Sequence, residues 1–220
     1  MRWRAERLFR SVWQTQSHGD LIRALLADLK APLQRGLVFV ETGCGLSTLA
    51  LAEIAARTGA ECYSCDVNAE KIEELRRRSG DALARVHFLE GDSLASVARI
   101  ASRHERIDFA LLDSAPSATH TLREFQLLEP RLGAGARVLI DNAALPGARL
   151  LLSPCRKGKL LVPYLLASPF WTVTAHPRAG DSMVSALHDR AGARADSRYE
   201  DPEYVDHWRV TFDRGLQPVR

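Results

Sequence analysis

The sequence has little of what would replace or bypass a hydrophobic core. It holds four cysteines in 220 residues, too few for a disulfide scaffold, and a chain of this length has no need of one. No apolar run approaches the roughly 20 residues that span a bilayer. The opening Met1-Arg2-Trp3-Arg4-Ala5-Glu6 lacks the apolar stretch of a secretory signal. Charge of one sign is also scarce: 30 Lys+Arg against 27 Asp+Glu leave +3, whereas a nucleic-acid face needs clustered charge. There is no internal repeat and no low-complexity block. What is there, 46% hydrophobic, 26% charged and 7% aromatic residues, is ordinary globular composition for one α/β domain. The expectation is a cytoplasmic chain with no membrane and no nucleic-acid partner.

Cys62-Tyr63-Ser64-Cys65 is a C-x-x-C, but Glu61 to Val67 reads as a strand. Positions three apart on a strand point to opposite faces, with Cα atoms about 10 Å apart and out of disulfide reach. No second C-x-x-C or paired histidine completes a zinc set. Cys44, Cys62, Cys65 and Cys155 are therefore expected to be small buried thiols.

Short apolar runs alternate with longer helical ones. Residues 37–41, 61–67, 84–89, 107–113 and 136–141 read as strands. Residues 47–57, 69–78, 93–102 and 119–132 carry 3.6-residue periodicity. This alternation predicts parallel strands with right-handed crossover helices on both faces. Residues 145–167 are mixed and partly helical, with a basic break at Arg156-Lys157-Gly158-Lys159. Two last runs, 170–175 and 183–188, are joined by a link too short for a crossover, so they should form an antiparallel hairpin. The expected fold is α/β, a doubly wound, mostly parallel, seven-stranded, Rossmann-like sheet with an antiparallel C-terminal hairpin strand. Its organisation reads as an N-terminal helical cap over 1–36, a core over 37–189 and a tail over 190–220. An amphipathic helix is expected over Arg2–Gln16. The tail, with Tyr199, Tyr204 and Trp208, is open between an ordered arm, a homodimer contact and a flexible end.

The most informative stretch is Glu41-Thr-Gly43-Cys-Gly45-Leu-Ser47. A buried strand runs through a Gly-x-Gly turn directly into a helix, whose first N–H groups can face a ligand that approaches closely. Asp66 ends the second strand about 20 residues further on, where an acid can accept from both ribose hydroxyls. Asp92 follows the third strand, Asp113 the fourth, and Asp141-Asn142 the fifth. These are the carboxyl ends of strands, where open α/β sheets bind ligands. Competing motifs fail. Thr48 stands where a dinucleotide fingerprint wants a third glycine, Leu49 where a nucleophile elbow wants one, and no phosphate loop of the G-x-x-x-x-G-K type occurs.

This ordered set resembles the motif series of class I S-adenosylmethionine-dependent methyltransferases, over roughly residues 18–189. The resemblance implies that Gly43, Gly45 and Ser47 lie along the methionine part of S-adenosylmethionine. It implies further that Glu41 orients the cofactor's amino group through the turn, Asp66 holds the ribose, Asp92 and Ser93 lie by the adenine, and Asp113 touches cofactor or acceptor. A narrower resemblance is to catechol-type O-methyltransferases, which implies a magnesium ion on Asp113, Asp141 and Asn142, binding a small-molecule hydroxyl. A hard cation takes such oxygen ligands and lowers the pKa of a bound hydroxyl. Two departures stand against the narrower likeness: Pro116 occupies the position of that family's lysine, and the Glu41–Ser47 loop is short. His120, early in the helix after strand four, is the candidate base, with His18 a weaker one. The alternatives are RNA or protein methylation, with Arg156, Lys157 and Lys159 contacting phosphate, and a nucleoside-binding module without catalysis.

Overall fold

A computed structural model describes residues 13–27, 29, 36–144, 154, 156–176, 182–189 and 210–212. The Arg2–Gln16 expectation falls almost wholly outside them; the described helix there is α1, Trp13–Leu26. The tail aromatics and Cys155 also lie outside. No described helix is long and apolar enough to cross a membrane.

The chain divides into two compact units, Met1–Asp92 and Ser93–Arg220. In the first, β1 (Val38–Thr42) leads into α2 (Leu46–Thr58), β2 (Glu61–Asp66), α3 (Ala69–Ser79) and β3 (Val86–Glu90). All pairing is parallel, β1 on β2 and β2 on β3, with Glu41 opposite Ser64 and Asp66 opposite Glu90. Every residue of β1 is buried, as a strand covered on both faces requires. The Asn68 side chain accepts from the Lys71 N–H to cap α3. Arg76, Arg77 and Arg78 in the last turn complement that helix's dipole.

In the second unit, α4 (Ser93–Arg103), β4 (Ile107–Leu112), α5 (Ala118–Leu128), β5 (Leu132–Ala144) and α6 (Gly158–Ala167) precede β6 (Trp171–His176) and β7 (Ser182–His188). β5 pairs parallel with β4 and antiparallel with β7, and β7 pairs antiparallel with β6. The expected hairpin is present, with its last strand inserted beside β5. Val210–Phe212, β8, adds an eighth strand from the tail, parallel to β6.

Two boundaries differ from the sequence expectation. The helix expected to run to residue 132 ends at Leu128, because Pro130 cannot sit in a continuing helix. β5 begins four residues earlier than read, since Gly133 and Gly135 look like a loop; instead the strand carries an irregular register there, with Gly135 at φ +84°. Phe125, fully buried, stacks edge-on against Trp171 at 5.6 Å and anchors α5 to β6.

Candidate active site

In the first unit, the turn after β1 is organised by one carboxylate. Glu41 is fully buried and accepts three hydroxyls: Ser47 at 2.5 Å, Thr48 at 2.6 Å and Ser64 at 2.6 Å. Thr48 also accepts from the Gly45 N–H at 2.8 Å. Glu41 thus fixes the start of α2 and ties it to β2, and Ser47 is turned inward rather than toward a ligand. Between them Gly43 takes φ +86°, where a Cβ would be strained, and its N–H donates to the Cys65 carbonyl at 2.7 Å. Gly45 faces open space, with nothing within 4 Å of an added Cβ. That gap lies in front of a helix's first turn, whose unpaired N–H groups favour an anion.

Asp66 ends β2 with one oxygen accepting from the Asn68 N–H at 2.9 Å. The other accepts from the Cys44 N–H at 3.1 Å and Lys71 Nζ at 2.8 Å. Burial alone would raise its pKa; the Lys71 ammonium and the Asn68 N–H outweigh that, and the carboxyl is held below its ordinary value. Three donors leave roughly one of a carboxylate's four lone-pair sites. Ribose hydroxyls would therefore compete with Lys71. Val67, directly after it, is 74% exposed. Gly91, at φ +120°, donates its N–H to the Asp66 carbonyl at 3.0 Å and leads into the exposed Asp92. Burial pushes the Cys44 thiol up to about 12 and raises Cys62 as well, so both are neutral thiols, as expected.

In the second unit, Ser93 is buried and hydrogen-bonded through Oγ to His120 Nε2 at 2.7 Å. The same nitrogen lies 3.3 Å from Glu124 Oε1, a fully buried carboxylate that also accepts from Ser114 Oγ at 2.6 Å. Ser93 is therefore a partner of the candidate base. Ser117 caps α5 by accepting from the His120 N–H, which fixes where the imidazole starts.

Asp113 and Asp141 do meet, but around a lysine. Lys157, 4% exposed, hydrogen-bonds Asp113 Oδ1 through Nζ and lies 3.9 Å from Asp141 Oδ2. Burial pushes the Asp113 carboxyl up to about 6; the ammonium pulls against this and Asp141 adds to it. Asn142, half-buried, turns the chain with φ +50°, a conformation asparagine tolerates. Among the described residues, no group of three His, Cys, Asp or Glu could hold a metal ion. The Asp113, Asp141 and Asn142 set does not fit a divalent cation as it stands. Two unit charges about 4 Å apart interact by about 4 kcal/mol at an effective dielectric of 20, and a divalent ion would double the repulsion from the ammonium.

Lys157 also corrects the basic patch read from the sequence. Arg156 and Lys159 are exposed, but Lys157 points inward. Glu124, Ser64 and Lys71 are the site residues that motif reading passes over, and it places Lys157 only in a basic patch. The one signal for Lys157 is that only Gly158 and Lys159 separate it from the apolar run Leu160-Leu161-Val162. The His18 side chain lies outside the described residues.

A family model described as a methyltransferase domain matches residues 40–143. That stretch, a little under half of the chain, is similar to a methyltransferase domain. Solved structures share its fold. A cofactor-bound protein from MTB is 20% identical, with 81% of this chain and 82% of that one covered and a TM-score of 0.62. TomG, an O-methyltransferase from Streptomyces achromogenes in complex with SAM, is 20% identical over 79% of this chain and 80% of its own, TM-score 0.61. An O-methyltransferase from Bacillus cereus in complex with SAH is 20% identical over 79% and 81%, TM-score 0.60. No curated protein sequence matches the chain. The match begins within β1 and ends within β5, with α6, β6 and β7 beyond it.

Proposed function

We propose that the methyltransferase domain moves a methyl group from S-adenosylmethionine to a hydroxyl oxygen of a small molecule. The observation that carries this is the turn at Gly43–Gly45, braced by Glu41 and followed by Asp66, with open space in front of Gly45. The solved relatives named as O-methyltransferases support the choice of oxygen. When bound, the cofactor supplies a methyl group already activated on a sulfonium. The α2 N-terminus would take its carboxylate, Asp66 its ribose and exposed Val67 the flat face of its purine.

Within the second unit, His120 is the candidate base. His120 Nε2 is engaged by Ser93 and Glu124, so Nδ1 is the atom that takes the hydroxyl proton. The Nε2–H then donates to Ser93 or Glu124, and the buried Glu124 carboxylate stabilises the imidazolium. Magnesium has no part in this reading, because Lys157 stands among the residues that would hold it. RNA methylation loses its ground for the same reason.

The test is a panel of phenol, catechol and alcohol acceptors with radiolabelled cofactor, with and without EDTA. Label in an ether product, unaffected by EDTA, is expected. Label only in nitrogen, RNA or protein acceptors would sink the oxygen assignment.

A further inference from the structure

The two neighbours of Lys157, at the start of α6, fix where it sits. Arg156 before it takes φ +39°, a left-handed conformation that a side-chain-bearing residue adopts only where its surroundings demand it. Gly158 after it approaches β5 so closely that a Cβ would lie 2.1 Å from the Ala143 carbonyl oxygen. Only glycine fits there. These two neighbours set the first turn of α6 down on the end of β5, immediately beyond Asp141, and leave the lysine no course but inward.

Once inside, the ammonium reaches two carboxylates from two different strands. Asp113 follows β4 and Asp141 lies in β5, and the side chains of both are mostly buried, at 29% and 10% exposure. Two carboxylates side by side need a counter-charge, since burying uncompensated like charges is costly. A divalent ion is one solution and an ammonium is another. An ammonium has three N–H donors; Asp113 takes one and Asp141 lies beyond hydrogen-bond length, so donors are left for an acceptor oxygen.

We propose that Lys157 is a built-in cation that occupies the Asp113–Asp141 pair and closes it to divalent metal. The chain then orients its acceptor oxygen with an ammonium where a metal-dependent enzyme uses an ion. The role toward the acceptor rests on the reading under Proposed function; the closure to metal does not.

The test is uptake of Mn2+, read from loss of the free-ion signal in electron paramagnetic resonance, together with thermal melting in Mg2+. The wild-type chain should leave the Mn2+ signal unchanged, and Mg2+ should not shift its melting point. Lys157→Ala should take up a full equivalent of Mn2+, lose that uptake when Asp113→Asn is added, and melt higher in Mg2+. Lys157→Met keeps the length of the side chain, so it serves if the alanine variant does not fold. Stoichiometric uptake by the wild type, abolished by Asp113→Asn, would overturn the proposal. So would a folded lysine variant that binds no Mn2+. A protein that methylates no hydroxyl acceptor, yet admits Mn2+ only after Lys157 is replaced, would sink the oxygen reading and leave this one standing.

Discussion

Gly158 and the Ala143 carbonyl are in contact so close that a single methyl group cannot enter between them. The contact joins α6 to the end of β5 and directs Lys157 at Asp113 and Asp141. Gly158→Ala should therefore lower stability by roughly 1–3 kcal/mol through overpacking. It should also cut methyl transfer by moving the lysine. Urea denaturation and turnover measured together check this; an alanine variant with wild-type stability would mean that the approach is looser than it looks.

Glu41 is the hub of the Gly43–Gly45 turn. Glu41→Ala leaves three buried hydroxyls without their acceptor, at about 1–3 kcal/mol for each one that stays unpaired. S-adenosylhomocysteine affinity should fall with stability, since Ser47 and Thr48 are then free to move. A variant that lost affinity and kept full stability would instead assign Glu41 to the ligand directly.

Asp66 gives a pH dependence with a definite sign. Its carboxyl is depressed below the ordinary 3.8 in the folded chain. Its stabilising contribution is therefore fully present above that value and lost as pH falls through the lowered one. Urea midpoints of the wild type and Asp66→Asn from about pH 3 to pH 7 should differ at the upper end and converge at the lower. A constant difference across the range would show that the interaction with Lys71 is not charge-dependent.

The His120 network separates a base from its support. His120→Gln should lower kcat by roughly 10²–10⁴ with little change in KM for the cofactor. Glu124→Gln, which touches no reacting atom, should alter the pH profile of turnover and lower kcat less. Equal, pH-independent losses in both would reduce the pair to a packing role.

Cys44 lies inside the glycine turn, yet its thiol, pushed up to about 12, should stay protonated in neutral solution. Iodoacetamide at neutral pH should leave Cys44 and Cys62 unmodified in the native protein, as peptide mapping would show. Rapid alkylation of Cys44 would mean that the turn opens far more than its hydrogen bonds indicate.

Much of this was legible in the sequence because local rules act strongly where they apply. Gly43 and Gly45 between a β-branched run and a helical one mark a strand–turn–helix, and Asp66 and Asp113 fall at strand ends because the apolar runs stop there, whereas β5 continues past Asp141 to Ala144. The bounds of β5 were hidden, since Gly133 and Gly135 look like a turn, and the strand passes through them with an irregular register against β4. The partners inside the site were hidden for the same reason. Glu41 finds Ser64 across a strand pair, and Lys157 finds Asp113 across 44 residues. Neither has a local spacing to read. The sequence showed two acids and an amide at the ends of β4 and β5 and suggested an ion; the charge that meets the acids arrives from the first turn of α6.

The central claim, that the Gly43–Gly45 turn and Asp66 hold S-adenosylmethionine, is tested most directly by calorimetric titration with S-adenosylhomocysteine. Saturable one-to-one binding is expected, unchanged by EDTA and weaker by roughly 1–3 kcal/mol in Asp66→Ala, which leaves ribose hydroxyls without a partner. No binding to the wild type, or equal affinity in the variant, would contradict the account.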